Sequence, residues 1–239
     1  MHNIFIIRSV YIISKIVWLT YDETTNGVKE VEPVNGCVGF LDSGIGGMSI
    51  VEYLARKFKE KAFMFLKDSD NFPYGTKSKE ELIKIGQNCV NQLLEYNPPM
   101  ICIACNTMCC ALTNPITPVP ILKINEQIAK QVKETLPKGK KIYIISTQAT
   151  KDSNFYQNAL SDYVVDAHAT PEFVIMVEHN EITKEKVEKV ILEKPFDADG
   201  IILGCTHFNY LHDICKELLG DSVYIFDGLK KLESYIANY

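Results

Sequence analysis

Positive charge is in short supply. The 239-residue chain carries 25 Lys and Arg against 30 Asp and Glu, a formal net charge of −5, so it lacks the broad basic face that wraps nucleic acid or docks on acidic lipid. An unbroken apolar run is missing as well. Met1 to Leu19 is apolar only in clusters, Ile4 to Ile7, Val10 to Ile13 and Ile16 to Leu19, split by Arg8-Ser9 and Ser14-Lys15. A membrane span takes roughly 20 mostly apolar residues, and each central Arg or Lys costs about 2.5–3.5 kcal/mol; this argues against a span. The charges also lie inside the stretch, and Trp18-Leu19-Thr20-Tyr21 is no small-residue cleavage site, which argues against a secretory leader. Neither nucleic acid nor membrane is therefore expected as a partner. A dinucleotide loop is lacking too: Gly44-Ile45-Gly46-Gly47 fails the G-x-G-x-x-G pattern because position 49 is Ser, and no Walker-type lysine follows. With 46% apolar and 23% charged residues, wholesale disorder and low-complexity structure are excluded.

Cysteine, by contrast, is plentiful: Cys37, Cys89, Cys102, Cys105, Cys109, Cys110, Cys205 and Cys215. Disulfide scaffolds are short chains without a core, whereas this chain is long and rich in Ile, Val and Leu. Several cysteines sit in apolar runs such as Met100-Ile101-Cys102-Ile103-Ala104-Cys105, where a reduced thiol behaves as a small hydrophobe. A reducing, cytoplasmic location is expected.

From Cys37 onward short apolar strands alternate with helical patterns, the signature of α/β units around parallel sheets. Strands are expected at Val38 to Leu41, Ala62 to Leu66, Ile101 to Ala104, Ile142 to Ile145, Tyr163 to Val165, Ile201 to Leu203 and Val223 to Phe226, and helices at Met48 to Phe58, Glu80 to Tyr96 and Glu126 to Leu136. The prolines from Pro115 to Pro120 and the turn Pro137-Lys138-Gly139 put a domain boundary mid-chain. The expected division is residues 37–130 and 131–227. Residues 1–36 read as an extension of unclear role or an extra pair of β-like segments, with Asp22 to Asn35 as a polar linker.

The two halves echo each other. Ile101-Cys102-Ile103-Ala104-Cys105-Asn106-Thr107 matches Ile201-Ile202-Leu203-Gly204-Cys205-Thr206-His207, the cysteines lying 100 positions apart. Val38 to Gly44 echoes Ile142 to Gln148, and Asp70 to Tyr74 echoes His168 to Glu172, at nearly the same offset. Ligands of open parallel sheets bind beyond the carboxyl ends of the strands. Halves facing each other around a pseudo-twofold axis would thus bring two thiols to opposite sides of one cleft. That suits removing a proton from one face of a carbon and returning one to the other. The helix starts after Gly44, Cys105 and Cys205 offer N–H groups that could cradle the carboxylate of an anionic amino acid without Arg or Lys.

Blander readings accompany these. Cys102-x-x-Cys105 could be a redox or zinc pair, although zinc wants four ligands. Cys89, Cys109, Cys110 and Cys215 fall in helical segments and read as packing residues.

Six ordered motifs, Leu41-Asp42-Ser43-Gly44-Ile45-Gly46-Gly47, Pro73-Tyr74-Gly75, Ala104-Cys105-Asn106-Thr107, Ser146-Thr147-x-Ala149-Thr150, Phe173-Val174-x-x-Val177-Glu178 and Leu203-Gly204-Cys205-Thr206-His207, resemble those of glutamate racemases in the aspartate/glutamate racemase superfamily. The resemblance runs from about Val38 to Asp227. It implies two α/β domains with the substrate between them and residues 228–239 returning to the first. It implies a cofactor-independent isomerase, with no metal, that interconverts L- and D-glutamate for peptidoglycan synthesis; a homodimer is left open. Carried over residue by residue, Cys105 and Cys205 are the acid/base thiols, assisted by Asp42, Glu178 and His207. Asp42, Ser43, Tyr74, Gly75, Asn106, Thr107, Thr206 and His207 bind substrate, with Thr150 a further contact. An aspartate or hydantoin racemase, a catalytically silent amino-acid-binding or regulatory protein, and a metal or thiol-redox protein are the alternatives.

Such chemistry is demanding. A free thiol of pKa about 8.5 is only about 3% thiolate at pH 7, so positioning and preorganised donors must supply most of the acceleration. Three departures from the family pattern stand out. Phe208-Asn209 replaces Tyr-Pro after the second thiol motif, Lys67-Asp68 replaces Gly-Asp, and Tyr239 follows soon after Phe226-Asp227-Gly228, which implies a short returning segment and weaker closure.

Overall fold

A computed structural model describes residues 16–193 and 196–239; the apolar clusters Ile4 to Ile7 and Val10 to Ile13 lie outside the described residues. The first described elements are a hairpin, β1 (Ile16–Asp22) and β2 (Gly27–Val31). Next come β3 (Val38–Asp42), α1 (Ile45–Lys57), β4 (Ala62–Lys67), α2 (Lys79–Leu94), β5 (Ile101–Ile103), α3 (Asn106–Ala111), β6 (Ile121–Lys123) and α4 (Ile124–Thr135). The second half comprises β7 (Lys141–Ser146), α5 (Gln148–Asp152), α6 (Phe155–Ala159), β8 (Val164–Ala169), α7 (Pro171–Glu178), α8 (Lys184–Ile191), β9 (Gly200–Gly204), α9 (His212–Leu219), β10 (Tyr224–Phe226) and α10 (Leu229–Ile236).

The internal echo reappears as topology. One sheet runs β2-β1-β4-β3-β5-β6 and the other β10-β9-β7-β8. Setting aside the hairpin, β4-β3-β5-β6 and β8-β7-β9-β10 are the same parallel arrangement, with each thiol-bearing strand beside the first strand of its half. β3, β5 and β9 are buried at every position, as expected for parallel strands covered on both faces. The helices are specified locally. Ser78 accepts from Glu81 N at 3.3 Å while Glu81 Oε2 accepts from Ser78 N at 2.9 Å, a reciprocal cap that starts α2. Leu82, Gly86, Cys89, Val90 and Leu93 then form its buried stripe.

One apolar core joins the first sheet to Ile142, Ile144, Ile202 and Phe226 of the second through α4, while Ile145, Phe173, Ile201, Leu203 and Phe208 build a separate core on that sheet's other face. The boundary expected at 130/131 falls inside α4, which contributes Ile124, Ile128 and Val132 to the shared core. α10 packs on α4, and its Glu233 meets Tyr53 and Lys57 of α1.

Other expectations need correcting. Asp22 to Asn35 is no linker: it contains the hairpin turn and β2, and β1 pairs antiparallel with β4, Ile16 opposite Leu66 through Thr20 opposite Ala62. Polar residues are allowed there because β2 lies at the sheet edge and is only half-buried or exposed. The three-residue strand β6 was hidden behind the prolines, too short for a periodic signal. β8 runs from Val164 to Ala169, beyond the expected Val165, because an edge strand accepts Asp166 and His168.

Trp18 shows that the hairpin belongs to the core. It is buried, donates its indole N–H to Val34 O at 3.0 Å and meets Tyr96 edge-on at 4.9 Å. Trp18→Ala is expected to lower the unfolding free energy by about 3–5 kcal/mol in a urea titration. A loss below about 1 kcal/mol would make the hairpin a dispensable appendage.

Candidate active site

Cys105 follows β5 and caps the start of α3; Cys205 follows β9 and caps a single 3-10 segment, Thr206–Leu211. Both are 7% exposed. Because the two strands occupy equivalent places, the two sulfurs stand at corresponding carboxyl ends, as the echo leads one to expect. Burial, then the charge of Asp42, and further the charge of Cys205 push the Cys105 thiol well above its ordinary range, so it holds its proton.

Three titratable residues from separate elements surround this pair. Asp42 ends β3, is fully buried, accepts from Gly44 N at 2.9 Å and from Thr206 Oγ1 at 3.0 Å, and is raised by burial against the pull of His207. Glu178 ends α7; its Oε1 lies 2.7 Å from His207 Nε2 and accepts from Ile45 N at 3.3 Å. Burial pushes the Glu178 carboxyl up, but the bond and charge of His207 outweigh it and hold the group below its usual value. His207 Nδ1 lies 3.7 Å from Cys205 Sγ. Burial alone would depress the imidazole, yet its bonds to Cys205 and Glu178 and the negative charges around it raise it to about 10. An imidazolium is thus held between a carboxylate and a sulfur, able to pass a proton along that line.

Glycine makes the approach possible. A Cβ at Gly46 would lie 2.5 Å from His207 N and from Thr206 C, backbone atoms that cannot yield, and one at Gly44 would lie 2.7 Å from the His207 ring and 2.8 Å from Glu178 Oε1. The start of α1 therefore presses directly on the turn after Cys205. This corrects the cradle expected at Gly44 to Gly47: the N–H groups of Gly44 and Ile45 are taken by the protein's own Asp42 and Glu178. The helix starts after Cys105 and Cys205 keep that possibility.

The remaining expected contacts gather around the same space. Ser43 is buried beside Asp42, and Tyr74, in the 3-10 turn Tyr74–Thr76, donates to Asp68 Oδ2 at 2.8 Å. A Cβ on Gly75 would lie 3.7 Å from Thr147 Cβ, so that turn meets the second domain at Thr147. Thr107 Oγ1 lies 2.9 Å from Thr147 Oγ1 and 3.4 Å from Thr150 Oγ1, a hydroxyl cluster joining α3 to α5 across the halves. Asn106 Oδ1 accepts from Tyr156 at 2.6 Å. Of the departures, Phe208 is buried edge-on against Phe173 at 5.8 Å, which anchors the turn after Cys205 in the second core. Asp68 serves as the acceptor for Tyr74 and Asn71.

Residue-by-residue reading missed Thr147, Tyr156 and Asp68. Thr147 was available from the echo, since it occupies in the second half the place of Ser43. Asp68 stands only six residues before Tyr74, in the Lys67-Asp68 pair that departs from the family pattern, whereas Tyr156 carries no local signal and only folding brings it to the site. Cys102, Cys89, Cys109 and Cys215 are buried in strand or helix, and among the described residues no three His, Cys, Asp or Glu side chains are grouped to hold a metal ion. Among the described residues, no helix is long and apolar enough to cross a membrane.

Known proteins share both sequence and architecture with this chain. A glutamate racemase of Bacillus cereus is 31% identical over 210 residues, 82% of this chain and 77% of that protein. The solved glutamate racemase of Aquifex pyrophilus superposes with a TM-score of 0.68 at 31% identity, over 84% of this chain and 82% of that one. The glutamate racemase of Francisella tularensis, solved in complex with D-glutamate, superposes with a TM-score of 0.73 at 25% identity, over 85% and 82%. The sequence profile described as Asp/Glu/Hydantoin racemase matches residues 48–231, a span that holds both thiols, Glu178 and His207, and the chain belongs to that family.

Proposed function

We propose that this protein interconverts L- and D-glutamate by two-thiol proton transfer without a cofactor, supplying D-glutamate for peptidoglycan in the cytoplasm. The observation that carries the reading is the pair of buried cysteines at equivalent strand ends, each with its own charged neighbour. One thiol removes the Cα proton from one face and the other returns a proton to the opposite face. For a substrate between them, the thiol that abstracts must first lose its proton. On the Cys205 side His207 and Glu178 form the relay; on the Cys105 side the Asp42 carboxyl is the charge that acts most strongly on the thiol. Ser43, Gly75, Asn106, Thr107 and Thr150, with the N–H groups after each cysteine, are the donors for the two carboxylates and the amine's surroundings. Glutamate is favoured over aspartate and hydantoin by the resemblance of the Cys205-Thr206-His207 motif and by the named relatives.

In deuterated water either enantiomer of glutamate is expected to give the other with deuterium at Cα, read by chiral chromatography and mass spectrometry. Absence of both inversion and exchange across glutamate, aspartate and hydantoins would sink the enzymatic reading. Cys105→Ala and Cys205→Ala are each expected to abolish turnover, and full activity without Cys205 would rule out two thiols. Glu178→Gln is expected to lower kcat/KM by about 10²-fold, the scale of a lost acid/base contribution.

The relay also sets a pH dependence of stability. The folded-state value of His207, about 10, lies above the 6.5 of an ordinary imidazole, so the unfolded chain releases this proton first. The stabilisation is whole below about pH 6.5 and is lost as pH rises through about 10. Urea titrations of the free protein between about pH 6.5 and 10 are expected to show a smaller fall in unfolding free energy for Glu178→Gln than for the parent chain. Equal falls would mean that Glu178 does not hold the imidazolium.

A further inference from the structure

Tyr156 lies on α6, outside all six motifs, and is buried among residues of both halves. Its hydroxyl donates to Asn106 Oδ1 at 2.6 Å, and Asn106 is the residue directly after Cys105. The edge of its ring approaches the residue directly before Cys205: a Cβ on Gly204 would stand 3.5 Å from Tyr156 Cε2. Burial, followed by the charges of Cys110, Cys109 and Cys205, raises the phenol well above its ordinary range and keeps it a neutral donor. One side chain therefore hydrogen-bonds the residue after Cys105 and lies over the end of β9, where glycine leaves it room directly before Cys205.

The path is short and its parts are stiff. Gly204 leaves no room for a side chain beside the ring, because a Cβ there would also stand 3.0 Å from Ile145 O and 3.0 Å from Ser146 Cβ of the neighbouring strand β7. Asn106 is the first residue of α3 and is 2% exposed. Its amide oxygen engaged by the phenol, its N–H donors are left with a defined direction. Tyr156 itself is set by α6, which opens at Asn154 in the left-handed region with φ of 52°, with Ser153 Oγ accepting from Phe155 N at 3.2 Å.

We propose that Tyr156 is a positioning residue that fixes the separation of Cys105 and Cys205 and the orientation of the Asn106 amide. The catalytic part of this inference rests on the racemase reading; the geometric part does not. A two-sided proton transfer tolerates little error in that separation, since a misplacement of about 1 Å can cost roughly 10²-fold in rate. The hydrogen bond supplies the part of the constraint that can be removed without disturbing the ring.

Tyr156→Phe keeps the ring against Gly204 and removes the bond to Asn106. It is expected to lower kcat for glutamate about 10-fold in both directions. In an Asn106→Ala background the same change is expected to cost little more, because residues acting through one contact are not additive. A second measurement does not need the substrate: iodoacetamide labelling of the native protein, mapped by mass spectrometry. Cys105 is expected to label several-fold faster in Tyr156→Phe, while Cys89, Cys102 and Cys215 stay as protected as in the parent. Unchanged labelling of Cys105 overturns the proposal, as does general unmasking of the buried cysteines, which would make Tyr156 a packing residue only. A kcat equal to that of the parent, or fully additive losses, overturns its catalytic part. If the parent chain does not racemise glutamate, the functional reading fails and the labelling still judges Tyr156.

Discussion

The 2.7 Å contact between Glu178 and His207 is the constraint around which the site is arranged. It joins the end of α7 to the turn after β9 and charges an imidazole that burial alone would leave neutral. Taking charges out of water costs several kcal/mol per ion, and such a pair persists only when its remaining hydrogen-bonding capacity is also met. That condition is fulfilled from a third element: Ile45 N donates to Glu178, and the absence of side chains at Gly44 and Gly46 lets the first turn of α1 close on His207. Asp42, held by Gly44 N and Thr206 Oγ1, adds a second carboxyl to the same knot. First and second domain are thereby joined through charge and backbone, with the Cys205 thiol 3.7 Å from His207 Nδ1.

The two parallel sheets were legible in the sequence because parallel strands buried on both faces read as short apolar runs, and because two such halves repeat at an offset near 100. Five expected acid/base residues are brought together for the same reason: each stands at or just past the end of a regular element, where a motif reports the turn. Legibility stopped where tertiary context overrides local pattern. The hairpin β1–β2 has a polar outer strand that reads as a linker, since an edge strand needs no continuous apolar face. The glycine run after β3 reads as an anion cradle because glycine frees N–H groups, yet the same glycines admit the turn after Cys205, and Asp42 and Glu178 claim the N–H groups of Gly44 and Ile45. Tyr156 reaches Asn106 across 50 residues of sequence, with no periodicity to announce the contact.

Where the halves differ is as informative as where they agree. Asp42 is matched by Ser146, Gly44 by Gln148, Asn106 by Thr206 and Thr107 by His207. Every one of these mismatches lies at the carboxyl ends of the strands, beside a thiol. The scaffold supplies two sulfurs related by pseudo-symmetry, while the substitutions around them make their environments unequal. Cys105 is left with a buried carboxyl and hydroxyl or amide donors; Cys205 gains the imidazolium relay.

Racemisation asks for that combination. The two enantiomers of an amino acid have equal free energy, and the planar, carbanion-like species between them is nearly symmetric about its plane, so an acid/base group on each face serves both directions equally. The substrate, however, is a chiral molecule with one long and one short carboxylate arm, and it presents different groups to the two halves in either hand. A perfectly symmetric cleft could not hold it in one orientation. Duplicated strands place the two thiols at equivalent ends, Tyr156 holds the residue after one of them, and the unequal neighbours give the two ends different characters. The protein therefore needs its repeat to be faithful in strand order and broken in the turns, and that is the pattern its fold carries.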